Sequence, residues 1–187
     1  MNLLVLSDVS CIRGARLLFE GLSLSLGAGE AAVVTGPNGA GKSSLIRVAA
    51  GLLRASVGTV ERGGAAALAD DGLALDQKLS LGRALGFWAA MDGAATERGM
   101  EALGLKGLAH VPVGMLSTGQ RKRATLARVA ASGAPLWLLD EPLNGLDEEG
   151  AERLAAVMVE HRCAGGAILA ATHQPSPLPD AAEVRLG

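Results

Sequence analysis

Leu22-Ser23-Leu24-Ser25-Leu26 alternates apolar and polar residues without a break, the period of a strand with one buried face. A turn at Gly27-Ala28-Gly29-Glu30 leads into Ala31-Ala32-Val33-Val34-Thr35, a short apolar run of the kind found in strands buried on both faces. Two more such runs follow, Leu136-Trp137-Leu138-Leu139 and Ala167-Ile168-Leu169-Ala170-Ala171-Thr172, and Val184-Arg185-Leu186 reads as a short last strand. Helical patterning fills the intervals. One helix runs to about Ala50 and ends at Gly51; weaker ones cover about 79–91 and 96–103. Another starts near Ser117. A further one is opened by Asp147, has Glu148 and Glu149 in its first turn, and ends at Gly165-Gly166. The Pro-bearing segment 174–179 connects to the final strand. Strands alternating with helices predict an α/β fold with a mostly parallel sheet. The expected organisation is one domain over 1–187 carrying a small helical insertion at about 72–132.

Composition narrows the function. The chain has 187 residues, 49% of them hydrophobic, with a net charge of −2. It is long enough for a real core and lacks the basic field of a nucleic-acid binder. Aromatic residues make up only 2%, with no tyrosine, so base stacking on aromatic platforms is excluded as a main activity. Cys11 and Cys163 form neither a disulfide framework nor a metal set and read as small buried hydrophobes in a reducing compartment. No apolar run approaches the roughly 20 residues of a membrane span, and the N-terminus lacks the basic start of a secretory signal. The expectation is a cytosolic protein that works at a membrane only as a guest.

Gly36-Pro37-Asn38-Gly39-Ala40-Gly41-Lys42-Ser43, followed by Ser44, matches G-x-x-x-x-G-K-[ST] at every fixed position, between a predicted strand and a predicted helix. Glycines let successive N–H groups turn in around phosphate oxygens, and the helix N-terminus adds partial positive charge. Lys42 suits the β- and γ-phosphates, and the Ser43 hydroxyl suits Mg²⁺. Asp140 and Glu141 end the apolar strand after Leu136. Asp140 is placed to hold Mg²⁺, and Glu141 to orient or deprotonate a water. The strand carrying them is expected to lie adjacent to the one before the phosphate loop. Ser117-Thr118-Gly119-Gln120 has two readings: a capping box, or a second anion site at a helix N-terminus. Arg121-Lys122-Arg123 reads as a solvated face.

Taken in order, the phosphate loop, Leu116-Ser117-Thr118-Gly119-Gln120, Leu138-Leu139-Asp140-Glu141-Pro142, Gly145-Leu146-Asp147 and a strand ending in Thr172-His173 resemble the ATP-binding cassette (ABC) ATPases over nearly the whole chain. The resemblance implies an α/β P-loop NTPase fold with a small antiparallel part, ATP and Mg²⁺ as ligands, and a second ATPase protomer, most simply a homodimer. In that family two cassettes sandwich two ATP molecules. Ser117, Gly119 and Gln120 would then serve the ATP held by the partner, with Ser117 and Gly119 at its γ-phosphate. Glu141 would be the catalytic base, Asp147 would lie in the loop linking the sites, and His173 would contact the γ-phosphate. Short cassettes of the haem exporter used in cytochrome c maturation are similar to this chain at Leu18–Ser23, Ala134–Pro142 and Ala171–Pro175. That narrower resemblance implies ATP-driven work for an integral-membrane subunit on the cytoplasmic face of the bacterial inner membrane. It implies neither nucleic acid nor haem bound directly, and no C-x-x-C-H haem-attachment pattern is present. With only a short stretch after His173, the expectation is that no regulatory domain is attached.

The chain departs from the family pattern in two places. Ile12-Arg13-Gly14 stands where an aromatic ring usually supports adenine; Arg13 is either a guanidinium stacked on the base or a solvated arginine. Asp70-Asp71-Gly72 stands where the coupling loop carries Gln, and Gln77 comes late. Rival readings are the ATPase of another small ABC transporter, a soluble nucleic-acid-associated cassette protein and a phosphate-loop kinase of small metabolites. ATP-dependent dimerisation separates the cassettes from the kinase.

Overall fold

A computed structural model of the chain describes every residue except Leu73 and Ser176; these two, within the expected insertion and the Pro-bearing connector, lie outside the described residues. A parallel sheet orders the strands β5(Ala66–Ala69), β6(Leu136–Asp140), β7(Ala167–Ala171), β3(Ala31–Thr35), β8(Ala182–Arg185). A second, antiparallel sheet orders β2(Arg16–Gly27), β1(Asn2–Arg13), β4(Val57–Arg62). The helices are α1(Lys42–Ala50), α2(Leu81–Asp92), α3(Thr96–Ala102), α4(Thr118–Ala131) and α5(Glu148–Cys163). The expected α/β class and the small antiparallel part are both present. The expected adjacency of the two motif strands is corrected, because β7 lies between β3 and β6.

Two apolar layers explain why the central strands read as continuous hydrophobic runs. Along β6, Leu136 and Leu138 enter one core while Trp137 and Leu139 enter the other; along β7, Leu169 and Ile168 divide the same way. Successive side chains of a strand point to opposite faces, so a strand covered on both faces has no polar phase. The first core lies between this sheet, α1 and the antiparallel sheet (Leu4, Leu6, Leu26, Leu45, Ile46). The second lies under α2, α3, α4 and α5 (Leu85, Leu103, Leu126, Leu154).

The twelve-residue β1 was not legible, and the reason is local. Leu4 and Leu6 are buried, but the next inward residues are Val9 and Cys11, because Asp8 adopts φ 51° and the β1–β2 register shifts between Leu6 and Val9. Such a bulge breaks the period of two on which strand recognition depends. Cys11 is buried as expected; Cys163, the last residue of α5, is exposed, correcting the second cysteine.

Trp137 is buried against the His161 ring, stacked at 3.8 Å with an interplanar angle of 11°. Burial draws the imidazole's pKa below the ordinary 6.5, opposed by hydrogen bonding to the backbone of Ala167 and Pro135. A base with a depressed folded pKa takes its proton first in the unfolded chain, so its share of stability is complete above about pH 6.5 and is lost as pH falls through the lower folded value. Denaturant unfolding of wild type and His161→Gln at pH 7.5, 6 and 5 should therefore show a shallower acid loss in the variant; parallel curves would contradict it.

Candidate functional site

The phosphate loop spans the six residues between β3 and α1. Gly36, Gly39 and Gly41 all take positive φ (139°, 81° and 105°), and a turn closes through Ala40 N–H donating to Pro37 O at 3.2 Å. At Gly36 a Cβ would overlap the Leu186 carbonyl oxygen, beside the β3–β8 pairing, so packing by itself excludes a side chain there. Gly41 caps α1 without a side chain, and no acidic residue sits in the first turn, so the N-terminal N–H groups and their partial positive charge face the loop unopposed. Lys42 is buried to 7% exposure, and its ammonium donates to Gly36 O at 2.8 Å and Pro37 O at 3.2 Å. Those bonds hold the charge inside the loop.

Asp140 ends β6 at 3% exposure. Burial raises its carboxyl above the ordinary carboxylate range, opposed by a hydrogen bond from the Ser43 hydroxyl; Asp71 and Glu141 add to the rise and Arg47 counters it. Its Oδ1 is buried with no hydrogen-bond partner among the described residues. A buried, unpaired carboxylate oxygen costs on the order of 1–3 kcal/mol, and the natural compensation is a cation. With a serine hydroxyl alongside, the donors are hard oxygens, which suit Mg²⁺.

Glu141, one residue on, adopts φ 46°, a left-handed conformation that costs a non-glycine residue about 1–3 kcal/mol. Its N–H donates to Ala171 O at 2.8 Å, and its Oε2 lies 2.9 Å from His173 Nδ1. The strained turn swings the carboxylate away from the strand and onto the histidine following β7. Both side chains line a cleft of about 670 Å³ together with Asn38, Gly39, Gly41, Lys42, Ser43 and Ser44. Gly36, Pro37 and Ala40 belong to the loop without bordering the cleft, and Asp140 accepts a hydrogen bond from Ser43. One chain thus brings together a phosphate cradle, a buried cation-seeking carboxylate, and a carboxylate oriented by an imidazole. That set can hold a nucleoside triphosphate and accept a proton from a water beside it.

Ser117, Gly119, Gln120 and Asp147 do not border this cleft. Ser117 caps α4 by accepting from Gln120 N–H at 3.2 Å, while the Gln120 side chain accepts from Ser117 N–H at 2.9 Å, a complete capping box. Gly119 is packed so that a Cβ would lie 2.9 Å from Gly145 O. Asp147 caps α5 through Gly150 N–H at 2.9 Å. Ser117→Ala is expected to lower stability by about 1 kcal/mol through the lost cap, with Ser117→Thr largely restoring it in thermal unfolding.

The triplet on α4 corrects the solvated-face reading. Lys122 and Arg123 are partly buried: the Lys122 ammonium points at Asp140 O at 3.4 Å, and Arg123 donates to Leu103 O at 3.4 Å. Burial lowers the Lys122 pKa, opposed by Asp71, Asp140, Glu141 and Asp70. A three-residue charge run has no helical period, so only packing reveals that its members are half-buried and where Lys122 and Arg123 point. In the segment 70–72, Asp70 pairs with Arg47 at 3.6 Å and accepts from Gly72 N–H at 3.0 Å. Asp70, Asp71 and Gln77 border a neighbouring depression with Thr118 and Lys122, so the late Gln77 is brought back toward the acids. Asn144 also lines the main cleft and accepts from the Gln174 amide at 3.0 Å, a placement that no sequence motif signalled.

A family model described as ABC transporter matches residues 19–144. The "Cytochrome c biogenesis ATP-binding export protein CcmA" of Sphingopyxis alaskensis is 56% identical over 99% of this chain and 97% of its own length. The protein of the same name from Novosphingobium aromaticivorans is 58% identical over 94% of this chain and 91% of its own. In fold, the chain is similar to a solved ATP-binding subunit of an ABC transporter, with a TM-score of 0.88, 24% identity, and coverage of 98% of this chain and 85% of that one. With the phosphate cradle, the acid pair and the ordered motifs already in place, these likenesses make the chain a member of the ABC transporter ATPase family.

Proposed function

We propose that this ATPase powers a cytochrome c biogenesis export complex, docked on an integral-membrane subunit at the cytoplasmic face of the bacterial inner membrane. The observation that carries the reading is end-to-end identity of 56% with a relative bearing that name. Among the described residues no helix is long and apolar enough to cross a membrane, so a membrane-spanning partner fits the division of labour.

In this reading the loop N–H groups from Gly39 to Ser44 and the Lys42 ammonium bind the triphosphate. Ser43 and Asp140 hold Mg²⁺, which when bound supplies positive charge to the β- and γ-phosphate oxygens. Glu141 accepts the proton of the attacking water through its carboxylate, and His173 Nδ1 holds that carboxylate in line. Ser117, Gly119 and Gln120, which do not border their own chain's cleft, serve the nucleotide of a second copy, with Asp147 near the junction. Closure on ATP then draws two copies together, and hydrolysis releases them, passing motion to the membrane subunit.

Deleting the gene should remove haem-stained c-type cytochromes, and detergent-solubilised membranes should yield this chain together with an integral-membrane protein. Normal cytochrome c in the deletion strain would sink the export assignment while leaving the ATPase untouched.

A further inference from the structure

The base end of the nucleotide cleft is built without a ring. The chain has four aromatic residues, two Phe and two Trp, and none lines the cleft. Phe19 is buried beneath Gly41, Trp137 is stacked on His161, and Phe87 and Trp88 pack edge to face on α2. What lines the cleft there is Arg13, Arg16 and Leu18.

Arg13 ends β1 and Arg16 begins β2, and the two are register partners across the Gly14-Ala15 turn. Directly opposed residues of an antiparallel pair project from the same face, about 5 Å apart at Cβ, and like charges so placed repel. No ion pair relieves either guanidinium among the described residues. Arg16 reaches in toward the phosphate loop: its Nη1 lies 3.8 Å from the position a Gly39 Cβ would take. Two exposed, mutually repelling cations at the mouth of a phosphate cradle suit a polyanion, and a guanidinium plane can in addition stack on a flat group. A guanidinium plane stacks on any base and has only donors to offer, so it does not single out adenine.

We propose that Arg13 and Arg16 form a guanidinium clamp in which Arg16 binds the phosphate chain and Arg13 stacks on the base, so that the cleft selects a nucleoside triphosphate by its phosphates and tolerates guanine as well as adenine. This rests on the ATPase reading and adds to it a specificity that an aromatic platform would not give.

The test uses the full-length chain, with equilibrium binding of ATP, GTP and inorganic tripolyphosphate, and steady-state hydrolysis. ATP and GTP should bind within about tenfold of each other, since stacking strength varies little among bases. Arg13→Ala should weaken ATP about three- to tenfold, chiefly in KM, and leave tripolyphosphate affinity unchanged. Arg16→Ala should weaken ATP and tripolyphosphate alike. The lysine variants separate charge from plane: Arg16→Lys should recover most of the affinity, and Arg13→Lys should not. Unchanged ATP affinity in both alanine variants, or an ATP preference over GTP above about a hundredfold, overturns the clamp and leaves the ATPase reading standing. Absence of any ATP and GTP binding by the unmodified chain overturns both.

Discussion

Glu141→Gln is expected to lower ATP turnover by about 10²- to 10⁴-fold, the usual worth of a positioned general base. The substitution keeps the size and the hydrogen-bonding edge of the side chain, so the amide oxygen still faces His173 Nδ1, which lies 2.9 Å from the native carboxylate. What disappears is the capacity to take a proton. Because the loop, Lys42 and Ser43 are untouched, ATP binding should survive. In the proposed two-copy arrangement the variant should then accumulate as an ATP-bound dimer. Phosphate release and gel filtration with ATP measure the two halves of this expectation. His173→Ala should also lower turnover, because it removes the restraint on the Glu141 carboxylate together with the proposed γ-phosphate contact. Turnover near the wild-type rate in Glu141→Gln would remove that residue from the base role.

Gly36→Ala is expected to destabilise the free protein by about 2–5 kcal/mol, combining a side chain at strained φ with overpacking of backbone. The φ of 139° and the Leu186 carbonyl oxygen in the path of a Cβ act together. Relief requires β8 to retreat from β3, to which it is tied through Thr35↔Arg185 and the Leu186 N–H bond to Thr35 O at 2.9 Å. In a chain of this size each kcal/mol corresponds to about 2–4 °C, so thermal unfolding without nucleotide should fall by about 5–15 °C. An unchanged melting temperature with lost ATP binding would mean that Gly36 is glycine for phosphate after all. The same position therefore distinguishes a glycine required by the sheet from one required by the ligand.

Much of the site was legible because its chemistry is local. A phosphate cradle is a run of consecutive backbone groups, so Gly39, Gly41, Lys42 and Ser43 are contiguous in sequence and in space. Asp140 and Glu141 follow an apolar strand, and a strand end projects its residues toward one rim of the sheet. Caps are equally local: Ser117 and Gln120 satisfy each other within one turn, as does Asp147 with Gly150. What stayed hidden depends on partners distant in the chain. Lys122 turns toward Asp140 because of how α4 packs on the sheet, and nothing in Arg121-Lys122-Arg123 marks the middle residue. Asn144 and Arg16 enter the cleft from positions outside every motif the sequence shows. The strand order was likewise hidden, since placing β7 between β3 and β6 is a choice of packing.

By itself the order of apolar and polar residues determined an α/β chain with a phosphate loop at the end of one buried strand and an acid pair at the end of another. The tertiary structure decided which strands are neighbours, where the members of a charge run point, and why particular glycines cannot carry a side chain. The physical reason is range. Hydrogen-bond periods, turns and caps act within a few residues and leave a pattern, whereas the approach of Leu186 to Gly36, or of Arg16 to Gly39, exists only once distant segments have packed together.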